Sequence, residues 1–205
     1  KDGALIKANL TSFKLSPGDA VQVEADRNGA TTRIAVKGNA FDARPFLKSL
    51  QTGSIDKANA NNTEITLRTT VLSGFGGELV TNADLKLEKR GAALNRFDLN
   101  GRFDGGPVSA RLSPRAGAAP VLTVESYDAG AFLRFFDLYS RMQGGEMQLT
   151  VTLAPGSQQG SVLVRNFTLR NEPAMKRLVS DMGAQNTIDG SRLAPEVARR
   201  LTEAR

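Results

Sequence analysis

The sequence predicts a mainly β (α+β) chain: an extended, curved antiparallel sheet or groove built from repeated units, with short helices at its ends or over its open face. Three observations carry that expectation. Apolar and polar residues alternate with a period of two in segment after segment, Gly- and Pro-containing turns separate the segments, and only a few stretches switch to helical spacing.

The strands come first. Val21, Val23 and Ala25 alternate with Gln22, Glu24 and Asp26, and Ile34 and Val36 follow the Asn28-Gly29 turn, which together read as a hairpin. Ile65, Leu67 and Val71 oppose Glu64, Thr66, Arg68 and Thr70; Leu85 and Leu87 oppose Asp84, Lys86 and Glu88. Phe97, Leu99 and Phe103 oppose Arg96, Asp98, Asn100 and Arg102, and later Met147, Leu149, Val151 and Leu153 oppose Glu146, Gln148, Thr150 and Thr152. Each such strand has one apolar and one polar face, the signature of antiparallel sheets with one side toward water. Gly76-Gly77, Gly105-Gly106-Pro107 and Pro155-Gly156 supply the turns.

Helical spacing appears in residues 42–51, where Asp42 offers a cap and Pro45 sits in the first turn, and in residues 128–142, which carry Phe132, Phe135, Phe136 and Tyr139 and stop at Gly144-Gly145. Residues 171–182 form a third candidate, and a polar tail runs to the end of the chain. An internal repeat links the first two helices. Phe41-Asp42-Ala43-Arg44-Pro45-Phe46-Leu47-Lys48 aligns with Tyr127-Asp128-Ala129-Gly130-Ala131-Phe132-Leu133-Arg134, with Phe46 and Phe132 as corresponding anchors. The expected organisation is one β-groove domain over residues 1–182, made of two structural repeats (about 1–90 and 91–182), then a polar helical tail over 183–205.

Composition limits the chemistry. The chain contains neither His nor Cys, so imidazole proton transfer, thiol nucleophiles, Cys-based zinc sites and disulfides are excluded. No stretch of about eighteen apolar residues exists to cross a bilayer as a helix. Lys1-Asp2-Gly3 is neither an initiator Met nor a signal peptide, so a piece of a longer or processed protein is expected. The net charge of +6 comes from the two ends of the chain, with basic residues interleaved with acids rather than clustered with aromatics. That distribution does not fit a nucleic-acid binder and fits an anionic surface such as lipid headgroups better, but the reading it favours is a well-solvated surface with no charged partner.

Motifs that imitate catalytic signatures do not hold up. Gly74-Phe75-Gly76-Gly77 follows a strand but lacks the Lys-Ser/Thr of a phosphate loop, and it reads as a hairpin turn. Ser54-Ile55-Asp56-Lys57 fits Ser-x-x-Lys without either companion motif of the penicillin-recognising enzymes. Nothing singles out a carboxylate pair among the 21 acids. No catalytic residue, metal ligand or cofactor is therefore expected.

The stretch Val124-Glu125-Ser126-Tyr127-Asp128-Ala129-Gly130-Ala131-Phe132-Leu133-Arg134, continuing through Leu138-Tyr139-Ser140-Arg141-Met142-Gln143-Gly144-Gly145 and Asn166-Phe167-Thr168-Leu169-Arg170-Asn171-Glu172-Pro173-Ala174, resembles the C-terminal region of AsmA-like proteins, particularly the YhdP-like branch. The resemblance is specific over about residues 121–182. It implies the periplasmic part of a Gram-negative inner-membrane protein, anchored through segments absent from this chain, whose curled sheet conducts phospholipid between the two membranes and supports outer-membrane homeostasis. The family offers no catalytic motif.

An apolar sheet face must be covered by curling, by helices or by a ligand, and acyl chains need no polar partner there. The expected lipid-facing groove is Ile65, Leu67, Leu85, Leu87, Phe97, Leu99, Phe103, Met147, Leu149 and Val151, with Phe132, Phe135, Phe136 and Tyr139 as a helical lid, unless that helix is simply buried between the sheet and a neighbouring element; Arg134 and Arg141 read as solvent contacts first and as headgroup contacts second. Phospholipid or another acyl-chain ligand is the expected partner, with envelope proteins as further partners. The alternative is an envelope protein-interaction scaffold whose core is filled by its own side chains; a hydrolase acting on envelope polysaccharide through carboxylates is a third class.

Overall fold

The computed structural model describes residues 6–51, 62–91, 93–154 and 157–173. Ten strands form one open sheet in chain order: β1 (Lys7–Phe13), β2 (Ala20–Asn28), β3 (Thr31–Asp42), β4 (Asn62–Ser73), β5 (Leu79–Arg90), β6 (Ala93–Phe103), β7 (Gly106–Arg115), β8 (Ala118–Ser126), β9 (Met142–Ala154) and β10 (Ser157–Leu169). Among the described residues two short helices interrupt them, α1 (Arg44–Gln51) after β3 and α2 (Ala129–Phe135) after β8, and a 3₁₀ turn (Phe75–Gly77) joins β4 to β5. The fold is mainly β, as the alternation predicts. Strands β5 and β6, on either side of the expected boundary between repeats, pair as a hairpin within the same sheet.

One pairing departs from the antiparallel expectation. β3 and β4 run parallel, with Thr31 opposite Asn62 and Asp42 opposite Ser73. The chemical reason is the intervening helix: α1 leaves from the end of β3, so the chain returns to the strand's starting edge before β4 begins, which a two-residue hairpin cannot do. At β8 the chain does the opposite. There α2 is followed directly by β9, antiparallel to β8.

The two strand-to-helix corners are alike in secondary structure but not in burial. Phe41 is buried and Phe46 is 44% exposed, whereas at the aligned positions Tyr127 is 60% exposed and Phe132 is buried. The anchors expected to occupy corresponding pockets have exchanged roles. In the first corner Phe41 and Leu47 reach the core, and in the second Phe132 and Phe135 do.

Helix α2 is half the length its apolar spacing predicts. Asp128 caps its start, its side chain accepting the Ala131 N–H at 2.8 Å. It ends because Asp137 adopts a left-handed conformation (φ 54): the Asp137 N–H donates to the Arg134 carbonyl and the Leu138 N–H donates to the Leu133 carbonyl. These two bonds make a Schellman-type terminus, with Asp where glycine is usual. Tyr139 consequently lies outside the helix, and Gly144 and Gly145, expected as its stop, lie within β9. Residues 174–182 of the expected helix over 171–182, the Pro155-Gly156 turn, Ser54 with Lys57, and the tail over 183–205 lie outside the described residues.

Candidate functional site: the apolar face

Pairing registers carry the period of two across the whole sheet. Leu10, Val23, Val36, Leu67, Leu85, Leu99, Ala110, Val124, Leu149 and Val162 are successive cross-strand partners, one from each strand. Directly paired residues project to the same side. One position along, the row reads Asn9, Glu24, Ala35, Thr66, Lys86, Asp98, Arg111, Thr123, Thr150 and Ser161, polar at all positions but Ala35. The sheet therefore has one apolar and one polar face over its full width. The same registers put Ile65, Leu87 and Phe97 in a second apolar row, and place Phe103, Met147 and Val151 on this face by alternation along β6 and β9. All ten expected groove residues thus share a face.

Coverage of that face changes along the strands. At the end where α1 and α2 attach, Phe41, Phe103, Phe132 and Phe135 are all buried, and Phe103 packs edge-on against Phe135 with ring centroids 5.7 Å apart. Phe136 stacks at 4.7 Å on Phe132. Burying side chains of this size is worth about 1.5–3 kcal/mol each. At the opposite end Ile34, Ile65, Leu87 and Phe97 are only partly buried, with no helix over them among the described residues. The expected lid residues thus divide: Phe132 and Phe135 seal one end, Phe136 flanks them, and Tyr139 leaves the helix and donates its hydroxyl to Glu172, which raises the Tyr139 pKa.

Arg134 shows that the sheet is curled. Its Nε donates to Glu78 Oε1 at 2.6 Å and its Nη1 to the Met142 carbonyl at 2.6 Å. Glu78 immediately precedes β5 and Met142 opens β9, strands four places apart, or about 19 Å in a flat sheet. One guanidinium holds both, so the strand ends converge around α2 and the apolar face lines the inside of a trough. Gly74 permits the closure: a Cβ there would lie 2.3 Å from the Phe135 ring. Arg134 therefore acts as a structural clamp, and Arg141 likewise donates to the Asn171 carbonyl.

A second clamp, which sequence patterning did not suggest, ties the β1–β2 connection to the first corner. Buried Asp19 accepts the Leu15 and Ser16 N–H groups on one oxygen and the Asp42 N–H on the other, each at 2.8 Å. Asp42 accepts the Ser16 hydroxyl at 2.6 Å and two bonds from the Arg44 guanidinium. Arg44 holds the Asp42 carboxyl well below the usual carboxylate range. These are two adjacent carboxylates, but their oxygens are committed to backbone, hydroxyl and guanidinium donors, which suits holding a corner rather than acid–base work. The only sequence hint is the Asp in each aligned corner segment.

The polar face carries ion pairs within and between strands: Arg33 and Arg90 share Glu64, Arg68 pairs with Asp84, and Arg96 bridges Asp98 of its own strand and Glu88 of β5. Hydrogen bonds from Arg33 and Arg90 lower the Glu64 pKa, and Arg96 lowers that of Asp98. Among the described residues no group of three or more metal-ligating side chains comes together, and no helix is long and apolar enough to cross a membrane. Comparison with family models, with curated proteins and with solved structures yields no match for this chain.

Proposed function

We propose that this chain is a non-enzymatic carrier segment that holds acyl lipid along the apolar face of its curled sheet. The observation that carries the proposal is the unbroken apolar row across ten strands, sealed, among the described residues, by phenylalanines at the helix end and not at the other. A monomeric domain with no apolar ligand would cover both ends of such a face, since each exposed CH₂ forgoes about 0.8 kcal/mol. The resemblance of residues 121–182 to AsmA-like proteins supports the same reading and adds its setting: the periplasm, an inner-membrane anchor outside this chain, and phospholipid as cargo moving between the membranes.

The scaffold reading draws on a different observation, the exposed Val162 and Leu163 on edge strand β10, which would suit an added strand from a protein partner. Photo-crosslinking separates the two. Probes at Leu99 and Leu149, on the apolar face, are expected to capture lipid, while the same probe at Arg102, on the polar face, captures none. Equal labelling at all three positions, or none at the inner positions of a folded protein, rejects the carrier in favour of the scaffold.

A further inference from the structure

The two edges of the sheet are built differently. Strand β1 is seven residues long, begins with Lys7 and carries a register shift between Leu10 and Phe13. Shortness, lysine and a bulge are the devices by which natural sheets keep an edge from pairing. Strand β10 is thirteen residues long, holds its register with β9 without a shift, and contains Arg165 as its one charged residue. From Gln159 to Arg165 every residue but Val164 is exposed, the apolar Val162 and Leu163 included. No further strand lies beside it among the described residues.

We propose that β10 pairs antiparallel with β10 of a second copy of this chain, about a two-fold axis normal to the sheet at Val162. The proposal names the occupant of an edge that the scaffold reading leaves to any protein partner, and it holds whether or not the trough carries lipid. The order of side chains around Val162 carries it. Positions equidistant from Val162 combine a smaller residue with a larger one: Ser161 with Leu163, Gly160 with Val164, and Gln159 with Arg165. A two-fold at Val162 sets each against its counterpart in the other copy, so small faces large on both faces of the sheet. The two Arg165 guanidinium groups then lie at opposite ends of the junction, each across from a neutral Gln159. Gly160 has no room for a side chain of its own, since a Cβ there would lie 2.9 Å from the Thr150 carbonyl oxygen, and Val164 of the second copy covers that gap. An axis normal to the sheet also keeps both apolar faces on one side, so the trough of one copy continues into the other. Head-to-tail addition is the weaker arrangement. With β3–β4 parallel and the other eight pairings antiparallel, β1 and β10 point the same way. Strand β10 against β1 of a next copy is therefore a parallel junction, limited to seven residues and interrupted by the β1 shift. An edge with a single charge offers a foreign partner little to match and sets no repulsion against its own copy.

The test uses the full chain, which contains no Cys, so that single introduced thiols report pairing without background. Val162→Cys should form a disulfide-linked dimer about tenfold faster than Asn9→Cys on β1, because the axis brings its Cα within about 4.5–5.5 Å of its counterpart, inside disulfide reach. Ser161→Cys mixed with Leu163→Cys should give the mixed disulfide in preference to either self-linked product. In sedimentation equilibrium the parent chain should dimerise with a Kd of about 1–100 μM, as suits a junction below the standard interface size. Leu163→Lys, which gives this edge the lysine that protects others, should weaken the dimer about tenfold or more. Far-ultraviolet circular dichroism establishes that each variant is folded. A parent chain that is monomeric at about 1 mM, or a dimer in which Val162→Cys oxidises no faster than Asn9→Cys, overturns the proposal. A mixed disulfide between Asn9→Cys and Val162→Cys, with growth beyond the dimer, overturns it in favour of head-to-tail addition. Leu163→Lys leaves the apolar face untouched, so lipid capture at Leu99 and Leu149 in that variant tests the carrier reading separately.

Discussion

The two ends of the apolar face have the same sequence pattern and different fates. At the helix end Phe103 is 2% exposed beneath Phe135, and Ala129 and Ala131 are fully covered. At the far end Ile65, Leu87 and Phe97, in the same alternation on the same strands, keep part of their surface in solvent. Alternation decides which face is apolar, but what covers that face is decided by the connections. The helix end has two strand-to-helix corners and a guanidinium that draws β5 and β9 together. The other end, among the described residues, has strand termini and tight turns.

The largest effect that tests this contrast is a pair of truncations. Phe103→Ala should cost about 4 kcal/mol in urea unfolding, because it leaves a cavity under Phe135, while Phe97→Ala should cost about 1–2 kcal/mol because its ring is already partly solvated. Equal losses would mean that the far end is as tightly covered as the helix end. Next is the fit of α2 itself. Gly74→Ala pushes a methyl group into the Phe135 ring and should destabilise by about 2 kcal/mol, whereas Gly18→Ala, with open space around its position, should be within about 0.5 kcal/mol of neutral.

A smaller effect comes from the corner clamp, and it depends on pH. Arg44 and Ser16 depress the folded Asp42 pKa, so the contribution is complete above the unfolded value of about 4 and is lost as the pH falls below it. Asp42→Asn should therefore cost about 1–2 kcal/mol at neutral pH and flatten the acid limb of a stability–pH profile. An unchanged acid limb would show that the clamp is dispensable. Smallest is the polar face, where Arg96→Gln should change stability by less than about 0.5 kcal/mol, and by less still at high salt.

The legible part of the sequence was the local part. Period-two alternation located six of the ten strands and, through register, the shared face of all the expected groove residues. Strands β7 and β8 carried the same signal, Val108, Ala110 and Leu112 alternating with Ser109, Arg111 and Ser113, but lay between Gly- and Pro-containing turns that divided it. Strand β1 is an edge strand, short and largely exposed, so burial imposes little pattern on it. The parallel β3–β4 pair could not be read because strand direction is set by where α1 leaves the sheet, a tertiary property. Helix α2 is shorter than its apolar spacing predicts because Asp137, a residue with no strong stop signal, supplies the left-handed turn in place of glycine. The Arg134 and Asp19–Asp42 clamps were hidden for a related reason. Their partners lie far apart in sequence, 56 residues for Arg134 and Glu78, and neither spacing nor composition brings them together.

On the proposed function, acyl chains occupy the open end of this face. Native mass spectrometry of the intact purified chain, followed by lipid extraction, should find acyl lipid bound to the folded protein, lost in Leu87→Asp, where a carboxylate replaces the apolar wall, and retained in Arg102→Asp on the polar face. A folded chain that carries no lipid, or lipid retained equally by both variants, would contradict it.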